Sequence, residues 1–420
     1  MPDRPDTAEP ATGPQLRKTG ADGGLDALTR RLFREFPRAD QRRWAASYVS
    51  GLLDTPGKKS VRNMGRSVSA SHTAPQSLHQ VVNESTWPWN AVRRELFDWC
   101  REHAGARGLT LARIPLPKRG NCSAGVHRRF DAASGRTISC QLGLSLFLLT
   151  DRGAVPVDWR LYLPENWVDD ASLRRRVRIP DATRAHTPGR LLLDLAAYAD
   201  GAGLDVPLAV EAETVAEAVE LVAGLGALDA ESAVAVPLTT PVSAVLLPGA
   251  RRAGAAAVGG GRPTAGGLAE QLAATAQPLP APGAAGLRLL PAVVHTSALA
   301  RPMRLIGSWR PGERRPDRVW LTGADEHRLH RMVPLLAHPG AAQETLHLLD
   351  DCGMRDFEGR SYPGWHRHMT LVGAACSYRV LGGGTQEEAR PVERTSRRHG
   401  AREEQHADSR AAASAWGRAA

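Results

Sequence analysis

The sequence predicts a mixed α/β protein, α+β in texture: a mixed sheet flanked by helices, preceded by an all-helical N-terminal module. Residues 25–107 repeat apolar side chains at helical spacing. From Leu109, runs of β-branched and large apolar residues alternate with turn clusters. After Pro188, helix-like and strand-like stretches alternate, and strands followed by such alternation imply a mixed sheet with helices on both faces.

In order, residues 1–24 are rich in Pro, Gly, Asp and Thr without a period and read as a disordered leader. Ala27, Leu28, Leu32 and Phe33 mark a first helix, and Trp44, Tyr48, Leu52 and Leu53 a second. Gln76 to Val82 and Trp89 to Cys100 form two more, the last with Ser85 and Thr86 as candidate N-caps. Leu109 to Ile114, Thr137 to Leu149 and Val155 to Leu163 read as an antiparallel meander, separated by turns at Pro117–Ser123, Asp131–Gly135 and Asp151–Gly153. A helix at Pro188–Asp200, a strand at Val206–Glu211, a helix at Val215–Leu225 and a strand at Ser232–Pro237 follow. Residues 249–290 are dominated by Gly, Ala and Pro and are expected to be a low-complexity insertion without a packed core. Met303–Trp309 and Arg318–Thr322 resume strand character, and Glu326 to about Val380 is helical. The expected organisation is a leader at 1–24, a basic helical module at 25–107, a mixed domain at 108–380 and a disordered tail at 381–420.

The chain has 420 residues, 42% of them hydrophobic, enough for two or three packed domains. Its net charge is +10, and all of that surplus sits in residues 1–130, which hold 22 basic and 12 acidic side chains. A polyanion would therefore meet the N-terminal third. Five cysteines without a C-x-x-C pair speak against a disulfide framework or a cysteine zinc site. The polar start carries Asp3, Asp6 and Glu9, unlike a secretory signal, and the longest apolar run, Leu142–Leu149, is strand length. A soluble, cytoplasmic and nucleoid-associated protein is expected.

The basic stretches Lys58-Lys59-Ser60-Val61-Arg62, with Arg66 a turn on, and Pro117-Lys118-Arg119-Gly120 are candidate phosphate contacts; the alternative is a solvated surface. Trp365-His366-Arg367-His368 suggests a metal pair, but histidines two apart diverge on a helix, so packing or a phosphate-facing role is the better reading. No Walker, dinucleotide, nucleophile-elbow or H-E-x-x-H motif occurs.

Three stretches resemble the bacterial DDE-type insertion-sequence transposases, specifically the group named after insertion sequence seven-zero-one. The first is Gly51-Leu52-Leu53, Lys58 to Val61, Gln76-Ser77-Leu78-His79, Ser85-Thr86-Trp87 and Val92-Arg93-Arg94. The second runs from Pro117 to Gly120 through Gly125-Val126 and Cys140 to Gly143 to Asp158-Trp159-Arg160-Leu161-Tyr162-Leu163-Pro164. The third is Phe357-Glu358-Gly359-Arg360-Ser361, Gly364 to His368 and Leu371. The resemblance implies an RNase H-like core behind a helical DNA-binding region, double-stranded DNA as partner, action as a homo-oligomer, and three carboxylates holding two divalent ions, Mg²⁺ being the expected cofactor of an active enzyme.

In this chain the acids are largely replaced. Counting from Pro117 puts Ala112 and Arg113 where the family reads D-D-T-G-F-P-K. Leu208-Ala209-Val210-Glu211-Ala212 stands for A-D-A-G-Y-G, leaving Glu211 as the candidate catalytic and metal-binding acid. The third position falls on Ala342; Glu344, the other candidate catalytic acid, lies two residues on, about 200° around a helix. A cation such as Arg113 within ~4 Å of a divalent ion would cost roughly several kcal/mol. The first reading is a transposase-derived DNA-binding protein with a degenerate triad and no strand cleavage. The alternative is an active transposase recruiting Glu211, Glu344 and Asp151 or Asp158; a third is a protein-interaction scaffold. Lys58, Lys59, Arg62, Arg66, Lys118 and Arg119 are the candidate DNA contacts.

Overall fold

In the computed structural model, which describes residues 22–131, 134–228, 231–247, 263–295 and 302–382, five helices open the chain. They are α1 (Asp22–Leu32), α2 (Ala39–Asp54), α3 (Val61–Val68), α4 (Ala74–Asn83) and α5 (Trp89–His103). Four of them, α1, α2, α4 and α5, bury the stripe that their spacing predicts: Leu28 and Leu32, then Tyr48, Val49 and Leu52, then Leu78 and Val82, then Leu96 and Phe97. Ser60 caps α3 by accepting from the Asn63 amide at 3.2 Å. The expected caps of α5, Ser85 and Thr86, do not serve; Pro88 holds the N-cap position, and Trp87 fixes the approach by donating its indole N–H to the Val81 carbonyl at 2.7 Å.

The chain then enters the sheet through β1 (Ala106–Pro117), β2 (His127–Asp131), β3 (Arg136–Thr150) and β4 (Gly153–Leu161). β3 pairs antiparallel with β1 on one edge, and with β2 and β4 end to end on the other. After the short helices α6 (Glu165–Asp169) and α7 (Ala171–Val177), which the sequence reading missed, come α8 (Pro188–Gly201), β5 (Leu208–Glu211), α9 (Val215–Leu225) and β6 (Ser232–Val236). β5 lies parallel to β1, and β6 parallel to β5, so the order β4–β3–β1–β5–β6 is RNase H-like.

Beyond β6 the sheet continues antiparallel through β11 (Arg318–Thr322), β10 (Met303–Ser308), β9 (Leu287–His295) and β7 (Ser243–Leu246), with the two-residue β8 (Gln277–Pro278) also on β9, making eleven strands. The expected coreless insertion is thus corrected where it is described. Helix α10 (Ala265–Leu272) is capped by Thr264 and buries Leu268, Ala269 and Leu272, and β9 buries Leu287, Leu290, Ala292 and Val294. Small side chains conceal the periodicity there, because Ala and Gly weigh little in a composition reading yet pack closely. The expected leader before Asp22, the glycine run at 259–261 and the tail beyond residue 382 lie outside the described residues.

A short 3₁₀ turn (Glu326–Arg328) leads into α11 (Leu329–Ala337), α12 (Ala341–Asp351) and α13 (Tyr362–Leu381). α8 and α9 cover one face of the sheet and α11 to α13 the other: Arg113 of β1 reaches Glu217 of α9, while a Cβ on Gly143 of β3 would touch Trp365 of α13 at 3.4 Å. Helix α13 is buried on all sides from Gly364 to Ser377 because α2, α4 and α5 pack over it. One hydrophobic core therefore runs from Leu28 through the sheet to Leu381.

Candidate active site

Strand alternation decides which side chains can meet. In β1, Thr110 and Ala112 point to the α11–α13 face; across the parallel ladder, Ala209 pairs with Thr110, so Ala209 and Glu211 share that face. Trp320 of β11 joins them through Ala235. These residues, with Leu335, Pro339, Ala342 and Gln343 above them, line a cleft of about 310 Å³. The three positions read as acid sites from sequence counting are thus brought together by fold: β1, the end of β5, and the first turn of α12.

The chemistry at those positions is not that of a metal centre. Ala112 and Ala342 offer no donor, and only Glu211 and Glu213 bring carboxylates to the cleft. Both come from one segment and both are paired: Glu211 with Arg318 at 3.3 Å, Glu213 with Arg129 and, at 4.0 Å, with Arg113. Among the described residues no group of three His, Cys, Asp or Glu could hold a metal ion. The residues present do not fit the two-ion arrangement, which needs oxygen donors from several sides.

Arg113 behaves differently from the expectation that it would face the ions. It turns to the opposite face, where one guanidinium nitrogen donates to the Glu211 carbonyl at 2.5 Å and another pairs with Glu217 at 2.5 Å. It ties β1 to the end of β5 and the first turn of α9, with its side chain only 8% exposed.

The recruited acids do not converge either. Glu344, expected as a catalytic acid, lies on the exposed side of α12, because the two-residue step from inward-facing Ala342 carries it around the helix. Asp151 pairs with Arg107 in an exposed turn. Asp158 is buried in a network with Arg93 at 3.1 Å and Arg160 at 2.8 Å. Arg93 also donates to the carbonyls of Trp159 and His366 and to the Thr370 hydroxyl, joining α5, β4 and α13. Nothing in the spacing of Val92-Arg93-Arg94 announces that role.

The Trp365–His368 segment is interior. His366 stacks on Trp89 with ring centroids 5.0 Å apart, and burial with nearby Arg93 and Arg160 pushes its pKa well below the usual imidazole range. Arg367 donates to the Val82 carbonyl at 3.2 Å. These side chains are packing and hydrogen-bonding groups, so the phosphate-facing alternative does not hold.

The expected DNA contacts divide. Lys58, Lys59 and Lys118 gather around one loop: Lys58 pairs with Glu358 at 2.7 Å, the Lys59 amide donates to Asp356 at 2.8 Å, and Lys118 donates to the Phe357 carbonyl at 3.1 Å. Lys59 is 7% exposed and its ammonium donates to the Thr55 carbonyl, so it is held inside the fold rather than offered to phosphate. Burial lowers the Lys118 pKa below the ordinary lysine value. Arg62, Arg66 and Arg119 are exposed.

A family model described as DDE superfamily endonuclease matches residues 31–288 of the chain. The chain belongs to the DDE superfamily endonucleases. The match covers the helical region as well as the RNase H-like strands, up to and including the first residues of β9. Among solved structures, this superfamily member is similar to a piggyBac transposase in a synaptic complex with hairpin DNA, at 10% identity and a TM-score of 0.40, covering 86% of this chain and 71% of that one. No curated protein sequence matches it.

Proposed function

We propose that this DDE superfamily protein is a transposase-derived DNA-binding protein of the insertion sequence seven-zero-one group that no longer cleaves strands. One observation carries the reading: in the cleft where β1, β5 and α12 meet, two of the three positions expected to hold acids are Ala112 and Ala342. The remaining Glu211 is engaged by Arg318. Membership of the family and the charge surplus of residues 1–130 support double-stranded DNA as partner. Arg62, Arg66 and Arg119 are its contacts, with Lys58 and Lys118 at their margin.

The test is one assay on the full chain. Purified protein is titrated against duplex DNA from the flanks of its own gene, with Mg²⁺ or Mn²⁺, beside a Glu211→Gln variant. We expect retention of DNA, no nicking, and the same behaviour from the variant. Metal-dependent nicking that disappears in Glu211→Gln would overturn the proposal.

A further inference from the structure

The first strands of the sheet run past its body as a hairpin. β1 pairs with β3 only as far as Cys140, and β4 joins β3 from Gly143 onward, so Arg136 to Ser139 pair in the sheet ladder with β2 alone. The side chains of β2 alternate. Arg129 turns toward the α9 side and binds Glu213 at the border of the cleft. Arg128 and Phe130 point the other way.

Register fixes which way that is. Arg128 stands opposite Ser139, and Ser139, Gln141, Gly143 and Ser145 share one face of β3. Ser145 stands opposite Ala112 of β1, which lines the cleft. Arg128 and Phe130 therefore project from the same face as the cleft. Phe130 is 64% exposed, the most exposed large apolar side chain among the described residues. Arg128 is exposed without an ion pair among them, whereas Arg136, an odd number of residues from Ser139 on β3, leaves from the opposite face with Arg129.

An isolated phenylalanine in water beside an arginine is a poor surface for a protein partner, which needs a contiguous apolar patch. It suits nucleic acid, where an aromatic ring stacks on a base and arginines hold the adjoining phosphates. A base inside a duplex is already stacked on both sides, so the ring can engage only an end, an unpaired stretch or a distorted step. We propose that β2 and the facing end of β3 recognise unpaired bases of DNA lying along the cleft face, with Phe130 stacking on a base and Arg128 on a flanking phosphate. The inference rests on the DNA-binding reading above and adds a site and a DNA form to it.

The experiment compares a blunt duplex with the same duplex carrying a short single-stranded overhang, by fluorescence anisotropy on the full chain. The wild type should bind the overhang form more tightly. Phe130→Ala should lose roughly tenfold or more on that form, the scale of one base–aromatic stack, and less than about twofold on the blunt form. Phe130→Trp should restore binding, and the salt slope should not change, since no charge is removed. Phe130 is exposed, so an unchanged urea midpoint will show that the variants fold. Equal loss on both forms, or no loss on either, overturns the hairpin assignment while DNA binding stands. Failure of the wild type to bind either form overturns both readings. Loss of self-association in Phe130→Ala with DNA affinity intact would reassign the ring to contact with a second copy and overturn the proposal.

Discussion

His368 shows how far a single buried side chain can govern stability. Its Nε2 lies 3.0 Å from the Gly353 carbonyl, which can only accept, so Nε2 carries the proton and Nδ1 accepts from the Tyr48 hydroxyl at 3.0 Å. Burial disfavours the imidazolium, and the nearby Lys118 adds to it, pushing the pKa from 6.5 down to about 3. Between those values the unfolded chain takes a proton that the folded chain refuses, so stability is full above pH 6.5 and falls as the pH drops toward 3. The slope approaches about 1.4 kcal/mol per pH unit for each such histidine, and His366 adds to it. We expect the urea midpoint of the wild type to drop steeply between pH 6 and 4, and His368→Gln to be less stable at pH 7 but with a shallower acid dependence. The same acid slope in both proteins would refute this assignment. The Trp-His-Arg-His motif was legible as packing rather than metal ligation, but its partners Tyr48 and Gly353 lie 320 and 15 residues away, beyond any local reading.

At the scale of elements, the cleft depends on three segments whose relation is topological. The β-branched runs and the helical period at 215–225 made β1, β3, β4, β5 and α9 readable, and counting from Pro117 and Phe357 located Ala112 and Ala342 at the positions the fold joins. What could not be read was orientation. Arg113 is adjacent to Ala112, yet the period of a strand sends it to α9, where it braces Glu217. The antiparallel extension was also hidden: α10 and the start of β9 fall within residues 249–290, whose Ala and Gly read as low complexity, and its strands close only against residues far along the chain. The positions expected to hold acids give a direct test. Ala112→Asp with Ala342→Glu puts two more carboxylates into a cleft that already holds Glu211. With chelator present, their mutual repulsion should lower the melting temperature relative to the wild type. Millimolar Mn²⁺ should recover part of that loss by binding only the folded form, and should leave the wild type unmoved. A metal-dependent rise in the wild type would show that this chain holds ions without the two added acids and would count against an inactive cleft.

For the whole molecule, the decisive quantity is where its charge goes. The surplus of +10 lies in residues 1–130, but the fold withdraws part of it. Lys59 is buried, Lys58 faces Glu358, Arg93 is consumed by Asp158, and Arg31 is shared between Glu95 and Glu102. The exposed arginines Arg62 and Arg66 on α3 and Arg119 in the β1–β2 turn remain for phosphate. Counterion release makes the salt dependence of binding a count of such contacts, each worth about 0.9 in the slope of log affinity against log salt. Replacing Arg62, Arg66 and Arg119 together by Gln should reduce that slope by at most about three units while leaving the urea midpoint almost unchanged. Lys59→Gln should do the reverse, because the carbonyl of Thr55 loses a buried charged donor that never reached the DNA. If Lys59→Gln flattens the salt dependence and the arginine triple variant does not, the DNA lies on a different face of the molecule from the one these arginines define.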